Sequence, residues 1–376
     1  MSSSNIKISR VKSGKDLKKF IKLPWTIYKD NPYWVPPLLR DVKFKLNAKK
    51  HPFFAHARAE LFIAAMGRKV VGRIAAIVNQ RHIEFHRENV GFFGMFECIE
   101  NYDVARLLFS AAEQWCAQAG MDVIRGPVNL STNDECGFLM EGFDSPPVVM
   151  MPYNPPYYLP FCERYGFEKA KDLYAYFKKE IHIPERLSRI VSRVIKKTGV
   201  VVRPLDMKNF DRDTGIIKDI YNASFELNWG FVPLTAAEMD QVAKELKPIV
   251  EPELVLFAEI KGEPIGVSIA LPDINQVLKK LNGRLGPLNI LRFLYYKRKI
   301  NGLRAIIFGV KKEYRNMGIN AVLYYETEKR GRKLGYEWCE MSWNLEDNDL
   351  INRFDEAIGG KIYKKYRIYE KIIVHS

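Results

Sequence analysis

The stretch RNMGIN, residues 315–320, decides how this chain folds. It follows an apolar run that ends in FGV (308–310) and leads into NAVLYYETEKRGRKLG (320–335), a segment with apolar residues at helical spacing and a glycine at its end. The pattern predicts a strand, a glycine turn and a helix. Such a turn directs backbone N–H groups and the positive end of the helix dipole at one point, so it is suited to binding a phosphate.

The same pattern of elements occurs twice along the chain. Gly120 and Gly335 lie 215 positions apart, and the same spacing pairs Leu108 with Leu323. Repeated identities in one register indicate an internal duplication. The elements that the two copies share are a β-hairpin (60–79 and 253–271), a strand (90–96 and 305–310), a helix (105–120 and 320–335) and a further strand (121–128 and 336–343).

This order of elements resembles the GNAT fold of acyl-CoA N-acyltransferases, present twice. The RNMGIN turn carries the resemblance, together with YNPPYYLPFCERYGF (153–167), which is similar to the family's Asn-to-Gly-Phe helix. The resemblance implies an α/β (α+β) fold of two tandem lobes, each a mixed, mostly antiparallel sheet flanked by helices. We expect an N-terminal lobe over 1–180, a linker helix over 181–198 and a C-terminal lobe over 199–376.

The resemblance also implies a coenzyme site in the second copy. In GNAT proteins a turn of the type Arg/Gln-x-x-Gly-x-Gly/Ala holds the coenzyme A diphosphate, and here Asn320 replaces the second small residue. The co-substrate is expected to be acetyl-CoA or a longer acyl-CoA, with no metal. The residues predicted to bind it are Phe308, Val310, Arg315, Asn316, Met317, Gly318, Ile319 and Asn320.

The first copy of the turn carries the wrong charges for a phosphate. At the spacing of 215 positions, Glu100 stands opposite Arg315 and Asp103 stands opposite Gly318. Two carboxylates beside a diphosphate would repel it, and the glycine that permits close approach is missing. The N-terminal lobe is therefore predicted to be a degenerate copy that binds no coenzyme.

The reaction that the resemblance implies is attack of a primary amine on an acyl thioester. Many family members use a tyrosine of the last helix as the acid, but Phe354 occupies that position. Tyr363, Tyr366 and Tyr369 are open as substitutes, and Tyr366 is taken as the candidate. Glu226 is the first candidate for the base and Asp347 the second.

Two segments supply candidate residues for binding the amine acceptor. Carboxylates and amides suit a cationic amine, and the alternative is that these residues only stabilise their loops. The candidates are Asn133, Asp134, Glu135, Asn222, Asn228 and Trp229.

The segment 275–304 combines six leucines with seven lysines and arginines between Leu278 and Lys299. One interpretation is a helical arm that packs on the other lobe with its basic residues in water. The other is a basic amphipathic surface that touches an anionic membrane or covers a long acyl chain. The second interpretation predicts a lipophilic donor or acceptor.

Composition limits the class of protein. The sequence has no apolar run of membrane-spanning length, five scattered cysteines and a formal net charge of +15. These features favour a cytoplasmic protein with anionic partners, and no nucleic-acid-binding motif is present. The second interpretation of segment 275–304 adds peripheral contact with the inner face of the membrane. The predicted function is acyl-CoA-dependent N-acylation of an amine. The alternatives are a peptidoglycan-type aminoacyltransferase that uses aminoacyl-tRNA and a non-catalytic acyl-CoA-binding module.

Overall fold

The computed structural model describes residues 6–179 and 185–375. Positions 181–184 of the predicted linker lie outside the described residues. The strands of the described chain are β1 (Ile6–Arg10), β2 (Ala57–Met66), β3 (Lys69–Asn79), β4 (Val90–Cys98), β5 (Val123–Gly126), β6 (Phe138–Glu141), β7 (Glu168–Lys178), β8 (Val201–Pro204), β9 (Val255–Ile260), β10 (Glu263–Pro272), β11 (Gly302–Val310), β12 (Trp338–Leu345) and β13 (Lys361–Ile372). Its α-helices are α1 (Gly14–Lys22), α2 (Pro24–Ile27), α3 (Leu39–Lys45), α4 (Gln80–His86), α5 (Tyr102–Gln118), α6 (Tyr158–Tyr165), α7 (Glu185–Thr198), α8 (Phe210–Phe225), α9 (Ala236–Leu246), α10 (Asn275–Leu281), α11 (Pro287–Lys297), α12 (Ile319–Lys333) and α13 (Asp349–Ala357).

The first of two compact units contains residues 6–173, 278–290 and 364–375. Its strands β1 to β4 form an antiparallel series, and β5 pairs parallel to β4. The C-terminal strand β13 pairs antiparallel with β5, with Tyr369 opposite Gly126. The end of the chain therefore completes the sheet of the unit that the N-terminal half begins.

The core of the first unit lies between its sheet and the central helix α5. Phe93 and Phe109 are fully buried there, and Tyr369 of β13 belongs to the same cluster. A Cβ added at Gly72 of β3 would stand 2.7 Å from the Leu108 side chain. The glycine is thus required for the close approach of α5 to the sheet.

The second unit contains residues 174–179, 185–277 and Leu291–Tyr363. Its strands follow the order β8-β9-β10-β11-β12, antiparallel except for the parallel pair β11–β12. Helix α12 packs on β9, β10 and β11, and α8 packs on β10 and β11. Gly266 of β10 repeats the role of Gly72, because an added Cβ would stand 3.2 Å from Leu323 of α12.

The connection between strand and central helix differs between the units. Gly72 faces Cys98 across β3–β4, and Gly266 faces Val310 across β10–β11. From these strand ends to the equivalent Leu108 and Leu323 the chain is three residues longer in the second unit. The spacing of 215 positions thus holds for the helices, where Asp103 matches Gly318, but it is lost within the strand-to-helix connection.

The predicted fold class is confirmed, with a mixed sheet flanked by helices in each unit. The lobe boundaries at 180 and 199 remain a prediction. The structure groups residues 278–290 of the predicted arm with the first unit, where Trp25 Nε1 donates to Asn282 Oδ1 at 2.9 Å. In the described chain, every helix is too short or too polar to cross a bilayer.

The role of β13 in the first unit predicts where its mutations act. Tyr369 is 1% exposed, so Tyr369→Ala should destabilise this unit by about 3–5 kcal/mol, as truncation of a large buried side chain usually does. Ile372→Ala is the control, because that side chain is 75% exposed. Urea unfolding followed by limited proteolysis would measure both. Equal stability of the two variants would contradict the assignment of β13 to this core.

Candidate active site

The second unit has an opening between its two parallel strands. Strands β11 and β12 pair only from Gly302 with Trp338 to Ala305 with Met341, although both strands continue further. Residues 306–308 of β11 are partly exposed, whereas every residue of β4 in the first unit is buried. The described part of β11 is therefore unpaired on its β12 side beyond Ala305 and partly exposed there.

The RNMGIN turn lies at the end of β11, where the sequence predicted it. A 3-10 turn, Lys312–Met317, leads to Gly318 with φ of +78°, and α12 begins at Ile319. Arg315, Asn316 and Met317 are exposed. Among the described residues, no side chain caps the start of α12, so its first N–H groups have no side-chain acceptor. This arrangement is typical of a phosphate-binding helix start.

Position 318 requires glycine because of its backbone conformation and because of a close neighbouring side chain. Its positive φ is strained for any other residue, and an added Cβ would stand 2.8 Å from Val194 of α7. Arg315 fixes the other side of the turn, since its Nη2 donates to the Ser224 carbonyl at 2.9 Å and its Nε to the Val310 carbonyl at 3.3 Å. The guanidinium therefore holds the turn in place as well as contributing charge beside it.

The corresponding turn of the first unit already satisfies its own N–H groups. The side chain of Asn101 accepts from the N–H of Asp103 at 2.9 Å and from that of Val104 at 3.4 Å. These are the groups that would hold a phosphate. The Asp103 carboxylate at the same helix start would also repel a phosphate. Its Oδ1 lies 3.6 Å from Arg106 Nε. The side-chain cap of Asn101 is thus a second reason for a degenerate copy, beside the acidic residues.

The end of β4 in the first unit is also closed. The N–H of Met95 donates to Asn129 Oδ1 at 2.8 Å, and the N–H of Cys98 donates to the Tyr158 hydroxyl at 2.9 Å. Tyr157 in turn donates to the Cys98 carbonyl at 2.8 Å. Backbone groups that would contact a coenzyme in a GNAT lobe are here bonded within the protein.

A buried carboxylate lies beside this closed strand end. Glu97 Oε2 accepts from Tyr158 at 2.7 Å and from Tyr28 at 2.9 Å, and Arg73 lies 3.7 Å from Oε1. Burial raises the pKa of Glu97 to about 6 in spite of these partners. The hydroxyl donors and the arginine bind the carboxylate within the first unit, so we interpret this cluster as structural.

The predicted catalytic residues occupy different parts of the structure. Glu226 is exposed at the end of α8, two positions after Ser224, whose carbonyl binds Arg315. Asp347 is exposed in the connection from β12 to α13. Tyr366 is fully buried on β13 in the first unit, opposite Leu139. Glu226 and Asp347 thus belong to the unit that carries the RNMGIN turn, and Tyr366 does not.

The predicted acceptor-binding residues of the first unit are anchored in their loop. Asp134 accepts from Lys45 at 2.6 Å, Glu135 accepts from Asn129 at 3.2 Å, and the N–H of Asn133 donates to Ser131. These contacts favour the loop-stabilising alternative.

The acceptor candidates of the second unit are mostly engaged as well. The Asn222 amide bonds to both backbone groups of Leu234. The backbone of Asn228 closes a turn between Phe225 and Phe231, and Trp229 is partly buried within that turn. These residues shape the segment that follows α8.

A buried carboxyl group in the second unit was not among the residues predicted from the sequence. Asp355 of α13 is 3% exposed, and Asn344 Nδ2 donates to its Oδ2 at 2.8 Å. Burial raises the pKa of Asp355 to about 7. The sequence did contain a signal for this burial. Asp355 lies at helical spacing from Ile351 and Ile358 and next to Phe354, which places it on the apolar face of the helix.

Solved structures define the class of fold. The chain is similar to a tandem GNAT protein from the clavulanic acid biosynthesis pathway, with a TM-score of 0.56, 10% identity and 99% of both chains covered. It is also similar to a GCN5-related N-acetyltransferase from Sphaerobacter thermophilus, with a TM-score of 0.53, 11% identity and coverage of 99% and 97%. The protein therefore has the duplicated GNAT fold.

Sequence relatives define the family within that class. The bacterial ceramide synthase of Caulobacter vibrioides is 38% identical over 99% of this chain and 98% of its own length. Protein YghO of Escherichia coli is 36% identical over 95% of this chain and 93% of its own. No protein-family model matches the chain. The chain belongs to the family of the bacterial ceramide synthase and is an acyltransferase.

The two helix starts predict a single coenzyme site. Gly318→Asp should abolish binding of acyl-CoA, because it adds a negative charge and a Cβ at the start of α12. Asp103→Gly should create no second site, because the Asn101 side chain still caps α5. Isothermal calorimetry would count the sites, and two equivalent sites in the natural protein would contradict the degenerate-copy interpretation.

Arg315→Ala should weaken coenzyme binding by about 1–3 kcal/mol, the range of a charge-assisted contact. The loss should shrink at high salt, since screening already weakens the attraction. Arg332→Ala is the matched control, because Arg332 is an exposed arginine in the last turn of α12. Equal affinities of the Arg315 variant and the natural protein at low salt would mean that Arg315 only closes the turn.

Proposed function

We propose that this protein transfers a long acyl group from coenzyme A to the primary amine of a lipophilic acceptor. The observation that carries the proposal is the uncapped start of α12 behind the exposed RNMGIN turn, next to the opening between β11 and β12. The turn offers N–H groups to the diphosphate of coenzyme A, and the opening offers N–H groups of β11 to the thioester carbonyl. The first unit offers neither.

The family supports a sphingoid-type amine as the acceptor. A ceramide is the amide formed when a fatty acyl group is attached to the amine of a sphingoid base, and one relative is named a bacterial ceramide synthase. An acyltransferase that makes such an amide needs an activated acyl donor and a long-chain amine. We extend this substrate class to the present chain.

Helix α11 supports the delivery of both substrates from a membrane face. Its apolar side chains are largely in solvent, with Leu288 78%, Leu291 66% and Leu294 54% exposed. Arg292 on the same helix and Arg298 just after it are exposed as well. Exposed leucines among cations are typical of surfaces that bind anionic lipid, so we propose peripheral contact with an anionic membrane here.

The residues proposed for the chemistry follow from this site. Glu226 and Asp347 are the proposed bases in the unit of the coenzyme turn, whereas Tyr366, the sequence-based candidate for the acid, is fully buried in the first unit. The proposed acceptor contacts in the second unit are Asn222 of α8 and Asn228 and Trp229 after it. Arg315 and the N–H groups of residues 316–320 are proposed to bind the coenzyme.

The nature of the donor is the main alternative within this proposal. An aminoacyl-tRNA donor would use the net charge of +15 but would leave the phosphate-suited turn of α12 without a function. Mass spectrometry of small molecules and RNA that copurify with the protein separates the two donors.

A donor series tests the proposal. With dihydrosphingosine as acceptor, kcat/KM should rise steeply from acetyl-CoA to palmitoyl-CoA, because each buried CH₂ contributes about 0.8 kcal/mol. Equal or better use of acetyl-CoA would contradict the lipophilic donor and indicate a small-molecule N-acetyltransferase.

Vesicle flotation tests the membrane contact. The natural protein should float with vesicles containing phosphatidylglycerol, and Leu288→Ser combined with Leu291→Ser should abolish flotation without affecting folding. Ile362→Ser is a suitable control, because this side chain is 38% exposed on β13. Unchanged flotation of the double variant would mean that α11 does not bind the membrane.

A further inference from the structure

Asp355 is a buried acidic residue of the second unit to which the proposed reaction gives no role. Asp355 stands next to Phe354, and the Phe354 ring stacks on Phe308 of β11 with centroids 6.1 Å apart. Phe308 belongs to the part of β11 that has separated from β12. Asn344, which binds the Asp355 carboxylate, lies three positions beyond the last paired residue of β12, Met341. Asp355 is thus bonded to the diverging end of β12, and its neighbour in the helix, Phe354, contacts the diverging end of β11.

The surroundings of Asp355 do not neutralise its charge. The titratable groups around it include Tyr324 of α12, Cys339 of β12 and Tyr176 of β7, with Glu356 as its neighbour on α13. Lys178 of β7 is bonded to the Tyr324 hydroxyl at 2.6 Å and to Glu328. Burial raises the pKa of each of these phenol and thiol groups, so all three are uncharged at neutral pH. No cation pairs with Asp355 among the described residues, and Oδ1 accepts no hydrogen bond from them. A structural buried carboxylate is usually paired, as Glu328 is with Lys178 at 2.5 Å.

We propose that Asp355, oriented by Asn344, accepts the proton of the attacking amine and then delivers it to the departing thiolate of coenzyme A. This inference rests on the proposed function. The amine nitrogen forms a bond to the thioester carbon, and its proton passes to Oδ1 of the carboxylate. The C–S bond breaks, and the sulfur takes the same proton, so the products are the amide and free coenzyme A.

The proposal accounts for the phenylalanine at the position where the family has a tyrosine. Phe354 has no proton to give, and a single carboxyl group can perform both transfers. Burial raises the pKa of Asp355 to about 7, which lies near neutral pH and below the usual value of a thiol, about 8.5. Transfer from the protonated Asp355 to the thiolate is therefore downhill. Asp355 replaces Glu226 and Asp347 as the leading candidate for the base.

The first experiment compares Asp355→Asn with Asp349→Asn in amide formation from palmitoyl-CoA and dihydrosphingosine. Asp349 is an exposed carboxylate on the same helix, with Arg353 at 3.8 Å, so its variant should be unaffected. Asp355→Asn should lower kcat about 10²–10⁴-fold and leave the affinity for acyl-CoA within about threefold. A kcat within threefold of the natural protein would overturn the inference.

The second experiment is the pH profile of Asn344→Ala. The Asn344 amide stabilises the carboxylate form, so its removal should move the acidic limb of kcat/KM upward by about half to one pH unit. The titration of the substrate amine is the same for both proteins and cannot cause such a difference. An acidic limb in the same place would mean that Asn344 is only structural, and it would overturn its positioning role.

Thermal unfolding separates a proton-transfer role from a structural one. A carboxyl group with a raised pKa in the folded state loses stability as pH rises from about 4 to about 7. Asp355→Asn should therefore raise the Tm, and more at pH 8 than at pH 5. A strongly lowered Tm at pH 8 would indicate a structural role and overturn the proposal.

If the natural protein binds acyl-CoA but forms no amide, the proposed function fails together with this inference. An active natural protein with an active Asp355→Asn variant overturns the inference alone.

Discussion

The first N–H groups of a helix have no partner within that helix, and this constraint separates the two units of the protein. In the first unit the Asn101 side chain accepts from the start of α5. In the second unit Gly318 precedes α12, and none of the described side chains accepts there. Both units share the glycine of the hairpin, the central helix and the parallel strand pair. The difference in function that we propose depends on which helix start is left for a ligand.

In each unit, the end of the strand before the central helix is as closed or as open as the start of that helix. In the first unit Asn129, Tyr157 and Tyr158 satisfy the backbone at the end of β4, which is buried along its whole length. In the second unit β11 is partly exposed where it leaves β12. A duplicated fold with one closed and one open copy can bind one coenzyme and use the other copy for stability.

Much of the fold could be predicted from the sequence, because its signals are local. The hairpins, the central helices and the RNMGIN turn follow from alternation, helical spacing and glycine placement. The Asn101 cap could also have been predicted, since asparagine before a helix is a common N-cap. The degenerate turn was instead attributed to Glu100 and Asp103 alone. The three extra residues before α12 were missed because gaps cannot be placed from identities in a single register.

The site was predicted less completely, because its chemistry depends on contacts between distant segments. Tyr366 was chosen for its residue type, and the structure buries it in the first unit on β13. Asp355 appeared as an ordinary acidic residue of a helix, and only its burial against Asn344 distinguishes it. The exposure of Leu288 and Leu291 likewise depends on which face of α11 is left uncovered in the folded chain. Leucine spacing alone could not predict it.

The central claim is that acyl-CoA binds at the start of α12 and not at that of α5. Hydrogen–deuterium exchange with and without a non-hydrolysable palmitoyl-CoA analogue tests it directly, because exchange reports on the N–H groups themselves. The account predicts that the ligand slows exchange in peptides covering 311–324 and leaves peptides covering 99–108 unchanged. Protection of 99–108, or no protection of 311–324 at saturating ligand, would contradict it.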